Sequence, residues 1–197
     1  MPQPRGILVE DEDGEHATLT FQRLYRHAPE HVWDAISTAE GMREWLMCTH
    51  AVIEGRAGGR IELVTGPPRY HSTGTIRVWQ PPRVLEYEWN VAPVPEMPRG
   101  ERAMFRFELT PRFELTPRFE LTPRSELAPE GASTHLLVTY RRITRHTARG
   151  FLPGLHVFLE RLEAQLDGRA PPDWFERFGV VSAEYPEWSA LATHPAK

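Results

Sequence analysis

The sequence predicts an α+β domain, an antiparallel meander of strands interrupted early by two short helices and closed by one long helix. Two features carry the prediction. Six runs alternate apolar and polar residues between breaks rich in proline and glycine, the pattern of half-buried strands joined by short connections. Near the C-terminal end, Phe151, Leu152, Leu155, Phe158, Leu159, Leu162 and Leu166 fall on one stripe at helical spacing. Such a helix needs a partner to cover its apolar side.

Residues 1–15 are mostly acidic and polar and are expected to form a flexible arm. The run ATLTFQRLY then sets Leu19, Phe21, Arg23 and Tyr25 on one face against Thr18, Thr20 and Gln22, a strand pattern. Pro29 suits the first turn of a helix, where a missing N–H is not needed, and Val32, Trp33 and Ile36 follow at helical spacing. Ser37 and Glu40 have capping-box spacing for a second short helix carrying Met42, Trp45 and Leu46.

Strand-like runs resume after Gly58 and Gly59 with RIELV, TIRVW, RVLEYEWNV, AMFRFEL and THLLVTYRR, and TGPPRYHSTG reads as a loop. Within the long helix, Pro153 conflicts with the pattern, because an interior proline costs about 3 kcal/mol. Either the main helix begins near Pro153 or it kinks there. Gly168 supplies a stop. Residues 169–197 are expected to form a helical tail packed on the domain, with Asp173 and Glu176 at capping spacing and Trp174, Phe175, Phe178 and Val181 apolar.

Composition narrows the function. Six tryptophans and nine phenylalanines are enough to fill a core. The formal net charge is −4 and the only lysine is Lys197, so no basic field favours nucleic acid or an anionic membrane. No run approaches the ~20 apolar residues of a membrane span, and no signal-peptide pattern opens the chain. With Cys48 as the single cysteine, a cytoplasmic, reducing location is the simplest expectation. HExxH, cysteine clusters, GxSxG, P-loop and GxGxxG motifs are all missing, so no metal, cofactor or catalytic residue is assigned. His27 and His31 are separated by Pro29 and need not share a face. Cys48 and His50 are close in sequence but carry no signature of an activated nucleophile.

Residues 106–129, RFELTPRFELTPRFELTPRSELAP, give one six-residue unit three times and then a degraded fourth copy. An even unit means that slippage by one whole copy keeps every side chain on its face. The copies cannot all be strand, because each proline lacks a ladder donor and the partner run, about Thr134 to Arg142, is too short. Phe105–Thr110 is expected to pair, leaving about 111–130 as an insertion in a hairpin loop. Lengthening such a loop from roughly 5 to 23 residues costs only about 1.4 kcal/mol. A duplication of coding DNA tolerated there accounts for the repeat more simply than an interaction loop presenting Phe113 and Phe119.

The stretches HAPEHVWDAISTAEGMREWL, AGGRIEL, GTIRVWQPPRVLEYEW, FRFELTP, EGASTHLLVTY and GLHVFLERLEAQLDG run in that order from about residue 18 to 168. They resemble the START-like (SRPBCC) superfamily and, within it, the branch named after the activator of heat-shock-protein-90 ATPase. Where that family usually has tryptophan after the helix glycine, this chain has Leu155, and the family has no hexapeptide repeat. The resemblance implies a helix-grip fold over residues 16–168, in which a curved antiparallel sheet wraps the long helix around an apolar cavity. That fold hosts lipid carriers, hormone receptors, polyketide cyclases and chaperone cofactors, so it does not name a function.

On such a fold the inward faces make Trp45, Tyr87, Trp89, Phe107, Phe151, Leu155 and Phe158 candidate cavity wall. His156, about 100° around the helix from Leu155, and Tyr140 on the last strand are the candidate polar contacts. The leading expectation is non-catalytic binding of a hydrophobic or aromatic small molecule between sheet and helix. The alternatives are a cyclase- or hydrolase-like enzyme using His156 and Tyr140 as acid and base, and, ranked last, a cofactor that binds a chaperone. A homodimer is compatible with the sequence but not required by it.

Overall fold

The computed structural model describes residues 3–113 and 132–185. Strands β1 (Ile7–Glu10) and β2 (His16–Tyr25) lead into helices α1 (Pro29–Ser37) and α2 (Met42–Trp45). Next come β3 (His50–Ile53), β4 (Arg60–Thr65), β5 (Tyr70–Gln80), β6 (Val84–Val91), β7 (Glu101–Phe113) and β8 (Ala132–Thr144). The chain continues through α3 (Arg145–Leu166) and α4 (Trp174–Ala183). Among the described residues the strands form one curved antiparallel sheet in the order β1-β2-β8-β7-β6-β5-β4-β3. The fold is the expected α+β helix-grip.

Alternation decides which face of the sheet meets α3. Leu19, Phe21, Arg23 and Tyr25 of β2, Leu85, Tyr87 and Trp89 of β6, Phe105, Phe107 and Leu109 of β7, and Leu136, Val138 and Tyr140 of β8 are all buried. Each such Leu or Phe contributes about 1.5–3 kcal/mol on removal from water. The outer face carries charge, with Glu86 accepting from Arg106 at 3.1 Å and Arg141 at 2.7 Å. The long helix answers with Leu152, Leu155, Leu159 and Leu162, all buried, and the Tyr25 hydroxyl donates to Leu159 O at 3.1 Å.

Several local expectations need correction. Residues 7–10, assigned to a loose arm, form β1 paired antiparallel with β2, with Leu8 packed on the core. Edge strand β3 was not foreseen, and β5 begins at Tyr70, inside the stretch read as a loop. The main helix does not begin near Pro153, which lies inside an α3 that already starts at Arg145. No capping box forms at Ser37. Instead, the Thr38 hydroxyl accepts from the Gly41 N–H at 3.0 Å and donates to Asp34 O at 2.7 Å. Strand β7 contains the expected Phe105–Thr110 and runs on to Phe113, with Pro111 opposite Thr134. The rest of the repeat, from residue 114 onward and including Phe119, lies outside the described residues.

Candidate functional site

A cavity of about 210 Å³ lies between the sheet and α3. Sheet alternation brings Tyr87 of β6, Phe105 of β7 and Tyr140 of β8 to its floor, with Trp89 and Tyr70 beside them. Helix α3 contributes Phe151, Gly154, Leu155 and Phe158, and α4 contributes Trp174 and Phe178. The rings pack mostly edge to face. Tyr140 meets Trp89 at 5.5 Å and Phe105 at 4.9 Å between centroids, while Tyr70 stacks on Phe151 at 5.8 Å.

Two glycines permit these approaches. At Gly154 a Cβ would lie 3.6 Å from Trp174 and 3.9 Å from Phe178, so a short residue here lets α4 settle over α3. At Gly66 the backbone is left-handed, with φ 71°, a conformation glycine adopts without steric cost. The turn after it sets Pro67 and Pro68 at the cavity wall beside Phe158.

The wall offers few polar atoms. The Tyr140 hydroxyl is buried and has no hydrogen-bond partner among the described residues, and the Trp174 indole N–H is in the same position. Burial pushes the Tyr140 phenol well above its ordinary pKa, with Glu101 and Tyr87 adding to the shift, so it stays protonated. Burial also raises the Tyr87 phenol.

Of the nine residues expected at the site, Tyr87, Trp89, Tyr140, Phe151, Leu155 and Phe158 line the cavity, and Trp45, Phe107 and His156 do not. Trp45 is fully buried under α1, its indole N–H donating to Ala35 O at 2.9 Å and its backbone N–H to Gln165 Oε1 at 2.9 Å. Phe107 lies behind Phe105, ring against ring at 4.8 Å. His156 faces Phe21 and the residues after α4. Its Nδ1 is 2.8 Å from the Tyr185 hydroxyl and its Nε2 is 3.5 Å from Glu160. With the proton on Nε2, the Tyr185 hydroxyl donates to Nδ1 and accepts from the Gly6 N–H at 2.8 Å. Both ring nitrogens are committed to structure, so the expected pairing of His156 with Tyr140 as acid and base does not form.

Sequence reasoning missed Tyr70, Phe105, Gly154, Trp174 and Phe178. Phe105 carried a signal, since it shares the alternation of Phe107. Trp174 and Phe178 are expected from the sequence only in a helical tail packed on the domain, with nothing to direct them to the cavity. A wider, shallow groove of about 990 Å³ beside α2 is lined by Arg43, Arg69, Arg161 and Arg169. Arg161 there is spent on the carbonyls of Trp45, Glu44 and Pro172, and Arg169 on Asp167. Among the described residues no group of three or more His, Cys, Asp or Glu is placed to hold a metal. The His27 and His31 rings meet edge to face at 5.1 Å, with His27 Nε2 2.7 Å from Asp167. Burial pushes the Cys48 thiol up, and its Sγ lies 3.0 Å from His50 O. A protonated, bonded thiol is a poor nucleophile.

The family model described as Activator of Hsp90 ATPase homolog 1-like protein matches residues 26–167. None of the curated proteins matches the chain. Among solved structures, protein MLL2253 from Mesorhizobium loti is 25% identical with a TM-score of 0.58, over 76% of this chain and 96% of that one. CalU16 from Micromonospora echinospora is 17% identical with a TM-score of 0.61, over 96% and 98%. The Aha1 dimer from Colwellia psychrerythraea is 16% identical with a TM-score of 0.52, over 76% and 95%. The last two likenesses speak to fold alone. No helix among the described residues is long and apolar enough to cross a membrane.

Proposed function

The chain belongs to the activator of Hsp90 ATPase homolog 1-like family, and on that premise we propose that it binds a small hydrophobic or aromatic molecule between the sheet and α3, without chemistry. The observation that carries the proposal is the cavity itself, walled by aromatic rings from four strands and two helices. Apolar enclosure with a few polar atoms is what a small-molecule site needs. Burying an apolar ligand there gains roughly 25 cal/mol for each Å² removed from water.

Size limits the ligand. An engineered cavity of about 150 Å³ takes benzene, so about 210 Å³ suits one substituted ring, roughly eight to ten non-hydrogen atoms on the same scale. A sterol or an intact phospholipid would need the cover to move away.

Native mass spectrometry on protein purified without detergent tests the proposal. A recurring small mass that leaves on denaturation, identified by extraction, is the expected result. A bound ligand also raises the melting temperature by mass action. A clean ligand-free mass, with no melting response to a panel of single-ring compounds, would overturn it.

A further inference from the structure

Tyr25, Tyr140 and Tyr185 of this core differ in how their hydroxyls are bonded. Tyr25 donates to a helix carbonyl, and Tyr185 is bonded to Gly6 and His156. Tyr140 is 2% exposed and bonds to nothing among the described residues. Leaving a buried polar group unsatisfied costs about 1–3 kcal/mol. The ring is wedged among Trp89, Phe105 and Phe151, so its hydroxyl cannot reach bulk water without unpacking them. A second orphan, the Trp174 indole N–H, belongs to the same cavity on the side covered by α4.

Resting on the reading of this cavity as a ligand site, we propose that its ligand is an uncharged ring compound bearing a carbonyl oxygen. The Tyr140 hydroxyl donates to that oxygen, and the Trp174 indole is a second donor under the cover.

Three physical points lead there. An indole N–H can only donate, and a phenol always has a proton to give while it stays neutral. Burial keeps Tyr140 neutral. The residues lining the cavity include no Asp, Glu, Lys, Arg or His, so a charged ligand would lose its hydration with no counter-ion to replace it. A pure hydrocarbon would fit the walls but leave both donors unsatisfied. A carbonyl on a ring satisfies a donor and keeps an apolar body for the aromatic wall.

Acetophenone and its carbon isostere α-methylstyrene separate these cases. Both are titrated by NMR into the wild-type chain, Tyr140→Phe and Trp174→Phe, and the preference is the ratio of their dissociation constants. Tyr140→Phe should cut the preference for acetophenone about threefold to tenfold, the worth of one net hydrogen bond, and Trp174→Phe should cut it less. The ligand-free Tyr140→Phe protein should melt no lower than wild type, because the substitution removes an unsatisfied group. An unchanged preference would overturn the carbonyl assignment alone, and so would a lower melting point, which would reveal a partner for the hydroxyl. If neither probe binds at millimolar concentration, the cavity reading falls and this inference with it.

Discussion

Glu160 sits on α3 with its carboxylate oxygens 2.6 and 2.7 Å from Arg177 of α4, and 3.5 Å from His156. Burial pushes its carboxyl up, but the hydrogen bonds from Arg177 and His156 outweigh burial and bring it down to about 2. A carboxyl whose pKa is depressed on folding stabilises above its ordinary value, near 4.5, and that stabilisation is lost as pH falls toward 2. Helix α4 should therefore loosen within that window, seen as lower amide-exchange protection factors in Trp174–Ala183, taken relative to the intrinsic rate at each pH. Asp167 is also lowered, by hydrogen bonds from His27 and Arg169, so its stabilisation too is lost in acid; a global melt would mix the two and a local readout is needed. Glu160→Gln should loosen α4 at neutral pH and flatten its acid response; full protection of α4 in that variant would refute the latch. None of this pairing was legible in the sequence. Helical projection put His156 on the flank of the apolar stripe, but not on which side the cavity lay. Its partner Tyr185 is 29 positions away, beyond any local pattern.

The elements themselves were more legible than their contacts. Alternation located β2, β4, β6, β7 and β8 because one face of each is buried. It failed for β1 and β3, four-residue edge strands whose residues are exposed or half-buried. Asp173 does cap α4, accepting from the Glu176 N–H at 2.9 Å, yet capping says nothing about what the helix covers. That is set by Gly154, whose significance depends on Trp174 and Phe178 arriving opposite it. Gly154→Ala adds a methyl at ordinary contact distance and removes a helix-interior glycine, so it should stabilise the fold by about 0.5–1 kcal/mol. Gly154→Leu places a branched side chain where the cavity, α3 and α4 meet. It should weaken binding of a single-ring probe at least tenfold, by filling the site or by lifting α4. Chemical denaturation and the same NMR titration check both variants, and unchanged binding in Gly154→Leu would mean that the ligand enters elsewhere.

At the scale of the whole molecule, the hexapeptide repeat is the feature most visible in the sequence and the least informative about the site. What chose the paired copy was the wider context. Phe105 upstream extends the inward row of Phe107 and Leu109, and β8 supplies partners from Arg141 down to Ala132. Leu136, Val138 and Tyr140 then match those residues across the ladder, with Phe105 opposite Tyr140 at the cavity floor. Deleting Arg112–Pro123 removes two whole units and brings Arg124 and Ser125 into the places of Arg112 and Phe113. Because the unit is even, no remaining side chain changes face, and the shorter connection lowers the loop-closure cost by about 1 kcal/mol at most. The deleted chain should melt cooperatively near the wild-type temperature and bind the same probes. Deleting Met104 alone is the contrasting case. Odd shifts reverse the alternation, so Phe105, Phe107 and Leu109 would turn outward unless β7 bulged or slipped, and the cavity floor would be lost with them. If the twelve-residue deletion abolished folding while the single deletion did not, β7 would have to draw its inward row from a different copy of the repeat.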